Sequence, residues 1–424
     1  MKNKITVIGS GISGLSIAKM LRETHTVYVL EKNDEIGGLI KCKRVNGNLF
    51  HLVGGHVFNS RNQTVMEWFW QFFDRDNEFL KATRNARILL EDKVIGYPIE
   101  NYLYQLSTDK IQCITRELLH IAATEIDPRK ADDFETFLKK SFGETLFKIY
   151  FGPYNYKIWN TDLSKIPLEW LDDKLPMPAI EEIFINNIAK QKDTSTVHAT
   201  FYYPVRDGSQ FIVNRLAEGL NIQRSYEVKS VAIREKKIQL NGEHIETDAL
   251  VYCGDVRRLH EIIQINDNEL SEALKAVKTL PANGTTNVLC ECDENDISWL
   301  YLPENKFKAH RIIYTGNFSE TNNNPTGRKT CVVEYSGKHE IDDIRKELPS
   351  LPGNLQEISF NYEPNSYIIH RVDTRKKIRT IKTLLEKYNI YLLGRFSEWE
   401  YHNMDKCIES AMELHATLCK QQFQ

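Results

Sequence analysis

The sequence predicts an α/β fold in which a helix-covered parallel sheet is joined to a mainly helical insertion and to a second, mixed or antiparallel sheet. The first observation lies near the N-terminus, where the apolar run Ile5–Ile8 leads through a glycine-rich turn into the helix-like stretch Leu15–Leu21 and then into a second apolar run, Val27–Leu30. Such a strand, helix, strand unit builds a parallel sheet, and a parallel sheet needs cover on both faces. The first 31 residues therefore indicate the fold class.

The second observation is the helical spacing of apolar and aromatic residues over 64–73, 110–121 and 134–151. The third is a series of strand-like runs between 281 and 370, which Asn, Pro and Gly turns separate. The run IYLLG at 390–394 is expected to return to the first sheet. The pattern therefore predicts a helical insertion and a second sheet, both placed between segments of the first domain.

We expect each domain to be built from separate segments of the chain. A dinucleotide-binding, Rossmann-like domain is predicted at 1–95, 206–280 and 375–424. A mainly helical substrate region is predicted at 96–205, and a second-sheet substrate domain at 281–374.

Composition excludes several classes of function. The 55 basic and 58 acidic residues give a net charge of -3, and they form no polybasic block for nucleic acid or an anionic membrane. No apolar stretch reaches the roughly 18 to 20 residues that span a bilayer, and the N-terminus runs directly into a strand, so we expect no secretion signal. The eight cysteines lack a CxxC pair, which predicts reduced thiols in a cytoplasmic protein. Cys290 and Cys292 are interpreted as core residues, and His51 and His56 lack a third metal ligand.

The segment ITVIGSGISGLSIAKML contains the strongest signal, a GxGxxG motif that follows a strand and opens a helix. Gly9 permits the tight turn, Gly11 lets the backbone approach a pyrophosphate, and Gly14 permits close packing of helix on strand. The amides at the start of the helix would then hold the phosphates. This pattern predicts a dinucleotide site.

Two further features favour FAD over a chance surface turn. Glu31 ends the next strand, where its carboxylate can accept hydrogen bonds from ribose hydroxyls. A second glycine pair follows in EKNDEIGGLI and resembles the extended fingerprint of FAD-binding proteins. The candidate cofactor-binding residues in this part of the chain are Gly9, Gly11, Ile12, Ser13, Gly14, Glu31, Lys32, Gly37, Gly38 and Leu39.

Two segments are candidates for the flavin end of the site. FHLVGGHVFNS at 50–60 is similar to the GGH segment of UDP-galactopyranose mutases, and this resemblance places Gly54, Gly55 and His56 beside the isoalloxazine ring. His56, the one candidate catalytic residue, would tune the ring or hydrogen-bond a bound group, unless it satisfies a local backbone group. Near the C-terminus the resemblance adds these candidate cofactor-binding residues: Gly394, Arg395, Asn403, Met404 and Asp405.

The last three of these residues lie where the pattern predicts the start of the final helix. The unpaired amides of such a helix end can stabilise negative charge on a reduced flavin. The resemblance also implies a backbone contact between Val228, in the predicted strand SYEVKSVAI, and the adenine ring.

The resemblance extends to FGPYNYKIWNTDLSKIPLEWLDDKLPMP at 151–178 and to YYPVRDGSQFIVNRLAEGL at 202–220. Similar PYN, W and LEW elements mark the substrate region of the mutases, which share their two-domain plan with flavin amine oxidases and protoporphyrinogen oxidases. In the mutases, as the resemblance implies, N5 of reduced FAD attacks the anomeric carbon of UDP-galactopyranose, and the sugar recloses as a furanose. NAD(P)H would serve as the external reductant.

Carrying the family roles across gives the candidate substrate residues Tyr154, Asn155, Trp159, Lys174, Tyr367 and Tyr401. For the five other than Lys174, plain core packing is an equal alternative. Lys174 stands where the mutases have an arginine, and lysine cannot copy the bidentate contact of arginine with phosphate. A second arginine is missing near the strand TTNVLCECDEN, where Glu291, Asp293 and Glu294 are expected to repel a diphosphate.

Two functions therefore stay open. One is a sugar-nucleotide mutase of the UDP-galactopyranose to UDP-galactofuranose type, acting in cell-surface polysaccharide biosynthesis. The other, favoured by the missing arginines, is an FAD-dependent oxidoreductase of the amine oxidase or protoporphyrinogen oxidase type. A non-catalytic protein without cofactor is disfavoured because every glycine and acid of the ADP site is present.

Overall fold

The computed structural model of the chain describes residues 2–124, 127–171, 179–190, 200–234, 237–242 and 245–421. The strands are β1 (Lys4–Ile8), β2 (Thr26–Leu30), β3 (Cys42–Val45), β4 (Asn48–His51), β5 (Phe79–Thr83), β6 (Ala86–Leu90), β7 (Lys93–Gly96), β8 (Thr200–Pro204), β9 (Asn221–Gln223), β10 (Val231–Arg234), β11 (Lys237–Leu240), β12 (Ile245–Thr247), β13 (Ala249–Tyr252), β14 (Ile263–Gln264), β15 (Ala282–Cys292), β16 (Trp299–Tyr301), β17 (Ala309–Ile313), β18 (Lys329–Ser336), β19 (Gln356–Ile368) and β20 (Ile390–Leu392).

The α-helices are α1 (Ile12–Leu21), α2 (Gln63–Trp70), α3 (Arg75–Glu78), α4 (Thr108–Thr124), α5 (Phe134–Leu146), α6 (Gly152–Trp159), α7 (Ile180–Ala189), α8 (Gly208–Ala217), α9 (Leu259–Ile262), α10 (Asn268–Lys278), α11 (Ile341–Glu347), α12 (Thr374–Glu386) and α13 (Met404–Leu418). Among the residues described, no helix is both long enough and apolar enough to cross a bilayer.

A five-stranded sheet in the order β20-β13-β1-β2-β9 forms the first layer, and every neighbouring pair in it is parallel. Ile5 and Val7 of β1 are fully buried, as the central position of that strand requires. Helix α1 connects β1 to β2, and α13 packs against α1. The predicted strand, helix, strand unit and the return of IYLLG to this sheet are both confirmed.

The second large sheet has seven strands in the order β19-β15-β18-β17-β16-β6-β7. Its neighbouring strands are antiparallel except for the parallel pair of β16 and β6, so the sheet is mixed, as predicted. Strands β6 and β7 belong to it although they lie at the end of the segment predicted for the first domain. The limits of the domains remain a prediction.

The helical insertion carries helices α4 to α7 and packs around a large apolar cluster rich in Phe, Tyr and Trp. Helix α5 kinks at Gly143, which has a φ of 84°, before a π-helical turn at Phe147–Phe151. Lys157 on α6 then donates to the carbonyl oxygens of Leu302 and Glu304 at 2.8 and 2.5 Å. These bonds tie the insertion to the second sheet.

Cys290 and Cys292 are both buried in the core of the second sheet, as expected. No group of three or more potential metal-ligating side chains occurs in the part of the chain that the structure describes.

A cluster of aromatic rings packs between α2, β5 and the helices α1, α8 and α13. Phe69 on α2 is fully buried, and its ring lies 3.7 Å from the ring of Phe58 and 4.5 Å from that of Phe73, centroid to centroid. Phe79 meets the same ring edge-on at 5.9 Å. Offset and edge-to-face contacts of this kind add stability beyond the buried area itself.

We predict that Phe69→Ala lowers the free energy of unfolding by about 3–5 kcal/mol, because it leaves a cavity among closely packed rings. Val372→Ala is the control, since Val372 is 79% exposed and its truncation should change that energy by less than about 0.5 kcal/mol. Urea denaturation followed by circular dichroism measures both. Equal losses for the two variants would contradict the packing described here.

Candidate active site

A cavity of about 1230 Å³ begins at the carboxyl ends of the parallel strands. Residues that follow β1, β2, β13 and β20 line it, which is where ligands bind in open parallel sheets. Its far wall includes Trp299 and Arg311 of the second sheet and Trp159 of the helical insertion. The two sheets and the insertion therefore meet around one elongated space.

The glycine-rich turn between β1 and α1 has the tight geometry that the motif predicts. The Gly9 amide donates to the carbonyl of Leu30 at 2.8 Å, and Gly9 has a φ of 104°. A Cβ on Gly14 would lie 2.0 Å from the Gly9 carbonyl oxygen, so only glycine lets the helix pack this closely on the strand. Gly11, in contrast, has open space in front of it, with its nearest neighbour, Gly38 Cα, 3.8 Å from where a Cβ would be.

Glu31 is held in place by both of its carboxylate oxygens. One accepts bonds from the backbone amide and the hydroxyl of Ser10, at 2.9 and 2.6 Å. The other accepts from the amide and the side chain of Asn33, at 3.0 and 3.1 Å. The carboxylate is thus oriented at the cavity wall, and because these four bonds use its four lone-pair sites, a ribose hydroxyl would take the place of one of the two side-chain donors, Ser10 or Asn33.

The second glycine pair, Gly37 and Gly38, packs against the glycine-rich turn. The Gly37 amide donates to the Ser10 carbonyl at 3.0 Å, and Gly37 forms a parallel bridge with Gly11. Gly37 and Gly38 have φ values of 122° and 55°, which favour glycine. Opposite them, Val228 lines the cavity from the loop between β9 and β10, so its predicted place in a strand is wrong although its place at the cavity is as expected.

His56 lines the cavity, and its Nε2 atom is buried without a hydrogen-bond partner among the described residues. Burial, followed by the charge of Arg395, lowers its pKa to about 4, so the ring is neutral at pH 7. Gly55 also lines the cavity, and a Cβ there would lie 2.7 Å from Ile313. Gly54 does not reach the cavity, because its amide donates to Asn287 Oδ1 at 2.9 Å on the side of the second sheet.

The N-terminus of α13 faces the same space. Its N-cap, Asn403, makes no side-chain capping bond, and Asn403, Met404 and Asp405 all line the cavity. The predicted helix start is therefore confirmed. Gly394 has a φ of 98° and packs on Ser13, while Arg395 donates to the His402 carbonyl at 2.6 Å and lies 4.6 Å above the Tyr401 ring.

A buried ion pair stands beside this end of the cavity. Glu334 on β18 accepts bonds from Arg311 Nη2 at 2.8 and 2.9 Å, from His310 Nε2 at 2.8 Å and from the Tyr367 hydroxyl at 2.9 Å. Burial alone would raise the pKa of Glu334, but the charge of Arg311 and the bond from His310 outweigh it and hold that pKa well below its usual range. Arg311 itself lines the cavity, so this end of the cavity presents a guanidinium that Glu334 holds in place.

The predicted substrate residues divide into two groups. Trp159, Tyr367 and Tyr401 line the cavity, with the two tyrosine rings stacked at 6.0 Å and Trp159 edge-on to both. Tyr154 is packed in the core against Tyr150 and Tyr301, and Asn155 donates to the Phe151 carbonyl within its own helix at 2.8 Å. The structure does not bring these two to the cavity, and Lys174 lies outside the described residues.

The expected acidic barrier to a diphosphate is also absent from this space. Asp293 and Glu294 line a separate hollow beyond the far end of β15, and Asp293 pairs with Arg328 at 2.6 Å. Two arginines that the sequence interpretation missed, Arg84 and Arg311, line the main cavity instead. The sequence did contain a sign of Arg311 and Glu334. Each is a charged residue inside an apolar run, HRII for Arg311 and VVEYS for Glu334, and charged residues are rarely buried without a partner.

The residues present fit FAD. Three features suit the ADP half of FAD. They are the open space at Gly11, the N-terminus of α1, which has no acidic residue in its first turn, and the oriented carboxylate of Glu31. The unpartnered Nε2 of His56 and the N-terminal end of α13 suit the polar edge of a flavin. Residues 12–348 match the family model described as flavin containing amine oxidoreductase.

The chain belongs to this family. Members use FAD, and the chain is accordingly a flavin-dependent enzyme, either a mutase or an oxidoreductase. Two curated relatives are mutases: the dTDP-fucopyranose mutase of Escherichia coli, 28% identical over 97% of both chains, and the UDP-galactopyranose mutase of Mycoplasma genitalium, 21% identical over 95% of this chain and 92% of the relative. A crystal structure of reduced UDP-galactopyranose mutase superposes with a TM-score of 0.88 at 22% identity, covering 100% of this chain and 95% of the other. The resemblance to the mutase branch is confirmed.

We predict that Gly11→Ala and Gly14→Ala separate cofactor binding from folding. The methyl group of Gly11→Ala meets no protein atom closer than 3.8 Å, so the apoprotein should keep its stability while FAD affinity falls by about tenfold or more, because the methyl group blocks the approach of the pyrophosphate. Gly14→Ala should instead lower the free energy of unfolding by about 1–3 kcal/mol. Flavin fluorescence titration and urea denaturation measure the two effects, and unchanged FAD affinity in Gly11→Ala would argue against this cradle.

The buried His51 allows a prediction of how the free energy of unfolding changes as the pH is lowered. Its Nε2 bonds to the Tyr203 hydroxyl at 2.7 Å, and burial lowers its pKa to about 3. An unfolded chain protonates this histidine near pH 6.5, so between pH 6.5 and 5 the unfolded state binds the extra proton and the free energy of unfolding falls by about 2 kcal/mol on its account.

We therefore expect the pH dependence of stability between pH 7.5 and 5 to be shallower by that amount in His51→Gln than in the wild type. Urea denaturation at a series of pH values measures it. His120→Gln, at an exposed position of α4, is the control and should keep the wild-type slope. An unchanged slope in His51→Gln would show that His51 is not held neutral.

Proposed function

We propose that this chain is an FAD-dependent sugar-nucleotide mutase of the UDP-galactopyranose to UDP-galactofuranose type, serving cell-surface polysaccharide biosynthesis. One observation carries the proposal: the substrate end of the cavity is cationic. Arg84, Arg311 and Arg395 line it, and among the described residues Glu334 is the one carboxylate within ion-pair distance of any of the three. Such an end suits the diphosphate of a nucleotide sugar.

The same charge argues against an amine substrate. A protonated amine would have to enter beside guanidinium groups, and the nearby carboxylate of Glu334 already accepts bonds from three side chains. Like charges at close range in a partly dehydrated cavity repel strongly. The alternative, an FAD-dependent oxidoreductase, is therefore better supported for an uncharged or anionic carbon acid than for an amine.

The aromatic wall supports a nucleotide ligand as well. Tyr367, Tyr401 and Trp159 present ring faces and edges to the cavity, and their polar atoms can bond to sugar or phosphate oxygens. The indole nitrogen of Trp159 is buried without a partner in the described part of the chain. We assign these three residues to the substrate and the glycine-rich turn, Glu31 and the start of α13 to FAD.

Reduced FAD, when bound, supplies the nucleophilic N5 that such a mutase needs at the anomeric carbon. The chain's own residues would bind and orient the substrate. His56, neutral and with a free ring nitrogen, would hold one orientation of the cofactor or of the sugar by a hydrogen bond. Arg311 and Arg395 would retain the leaving nucleotide, so that it can return to the same sugar.

We predict that the dithionite- or NADPH-reduced enzyme converts UDP-galactopyranose or dTDP-fucopyranose into the furanose, while the oxidised enzyme does not. Product is followed by chromatography of the nucleotide sugars. The matched control is the same protein kept oxidised under air, which shares every binding contact.

Two results would point elsewhere. If the reduced enzyme neither binds nor converts any hexopyranose nucleotide, the mutase proposal fails. Steady bleaching of the oxidised flavin by a carbon acid or an amine would establish the oxidoreductase in its place.

A further inference from the structure

Arg84 occupies an unusual position for a charged side chain. It follows β5 and lies two residues before β6, and its guanidinium is stacked 4.9 Å from the Trp299 ring and 5.2 Å from the Tyr97 ring. One of its terminal nitrogens, Nη2, donates to the hydroxyl of Tyr301. The side chain is thus fixed in an aromatic frame, and it lines the main cavity.

The described residues provide no counter-charge to Arg84. No carboxylate of the described residues pairs with Arg84, and its buried Nε atom has no hydrogen-bond partner among them. Arg311, which lines the same cavity, is by contrast neutralised by Glu334 at 2.8 Å. Because arginine keeps its charge at any ordinary pH, and because even partial burial of an unpaired ion is costly, a cation in this position favours a ligand that brings the missing negative charge.

The sheet places Arg84 beside Arg311. Tyr301, which accepts the bond from Arg84, pairs with Arg311 in the antiparallel register of β16 and β17. Directly opposed residues of such a pair point to the same face. The two guanidiniums are therefore held around one tyrosine at one end of the cavity.

We propose that Arg84 binds the diphosphate of the nucleotide sugar and supplies the uncompensated positive charge there, while Arg311, whose charge Glu334 balances, adds hydrogen-bond donors beside it. The proposal rests on the function proposed above. Under that function the sugar is uncharged, so the diphosphate carries all of the substrate's negative charge. Arg84 then supplies the second cation, whose expected positions in the sequence hold Lys174 and an acidic cluster instead.

The test compares Arg84→Met with wild type in the FAD-loaded protein, using UDP and uridine as probes in calorimetric titrations. Losing a charged hydrogen bond to phosphate should weaken UDP binding by about 10- to 100-fold. Uridine affinity should change by less than about threefold, because uridine lacks the diphosphate. The flavin absorbance spectrum of each variant checks that the cavity is intact.

Two further variants sharpen the result. Arg84→Lys keeps the charge but not the planar fork, and it should bind UDP with an affinity between those of wild type and Arg84→Met. Arg87→Met is the matched control, since Arg87 lies on β6 only three residues away and does not line the cavity. Its UDP affinity should equal that of the wild type.

The outcomes separate this inference from the function it rests on. Wild-type affinity for UDP in Arg84→Met overturns the role of Arg84 while the mutase proposal stands. An equal loss of UDP and uridine binding also overturns it, because that result describes a structural residue. If the wild-type protein binds neither UDP nor dTDP, both proposals fail together.

Discussion

The buried bond between Arg311 and Glu334 fixes the substrate end of the molecule. The side chain of Glu334 is 1% exposed and that of Arg311 is 22% exposed, so both charges lose most of their hydration, and a buried ion is tolerated only when enough donors and acceptors replace the lost water. Here the partners come from three strands, with Arg311 and His310 on β17, Glu334 on β18 and Tyr367 on β19. A shift of β17 against β18 would leave both charges unpaired, and a shift of β19 would remove the tyrosine donor from the carboxylate.

The loop that carries Gly54, Gly55 and His56 depends on the same ion pair of Arg311 and Glu334. A Cβ on Gly54 would lie 3.1 Å from Glu334 Oε2 and 3.4 Å from Arg311 Nη2, so the loop approaches the pair as closely as a backbone can. The Gly54 amide is bonded to Asn287 of the same sheet, and His56 follows two residues later. The second sheet therefore sets the position of the histidine that faces the cofactor, although the cofactor's phosphates are expected on the first sheet.

Sequence patterns predicted the parts of the site that are local in the chain. The glycine motif, Glu31 and the start of α13 are short segments whose geometry is fixed by neighbours within a few residues, so spacing alone reveals them. Arg84 and Arg311 are different, because they meet only when β6, β16 and β17 pair, and strand order is not written in any short segment. The acids after β15 misled for the same reason, since the strand carries them away from the cavity to a separate hollow.

The two expected substrate residues that do not line the cavity, Tyr154 and Asn155, follow the same logic. PYN in FGPYNYKIW sits on one short helix, and a helix presents only part of its circumference to a cavity. Trp159, at the end of that helix, reaches the space, whereas Tyr154 and Asn155 face the core and their own helix. A motif can locate such a helix, but the packing of its neighbours decides which of its side chains meets a ligand.

The protonation states at the substrate end bear on the kind of chemistry the chain can perform. Burial lowers the pKa of His56 to about 4 and raises that of Tyr367, while the pKa of Glu334 is held low despite its burial. Near neutral pH the His56 ring is therefore neutral, the Tyr367 hydroxyl keeps its proton and the Glu334 carboxylate is ionised. A group that does not exchange its proton near the working pH is a poor general acid or base. Such groups bind and orient. Bond formation is then left to the cofactor. This division of roles agrees with an isomerisation in which the protein holds a leaving diphosphate and returns it to the sugar. It agrees less well with a reaction in which a protein base must take a proton from the substrate.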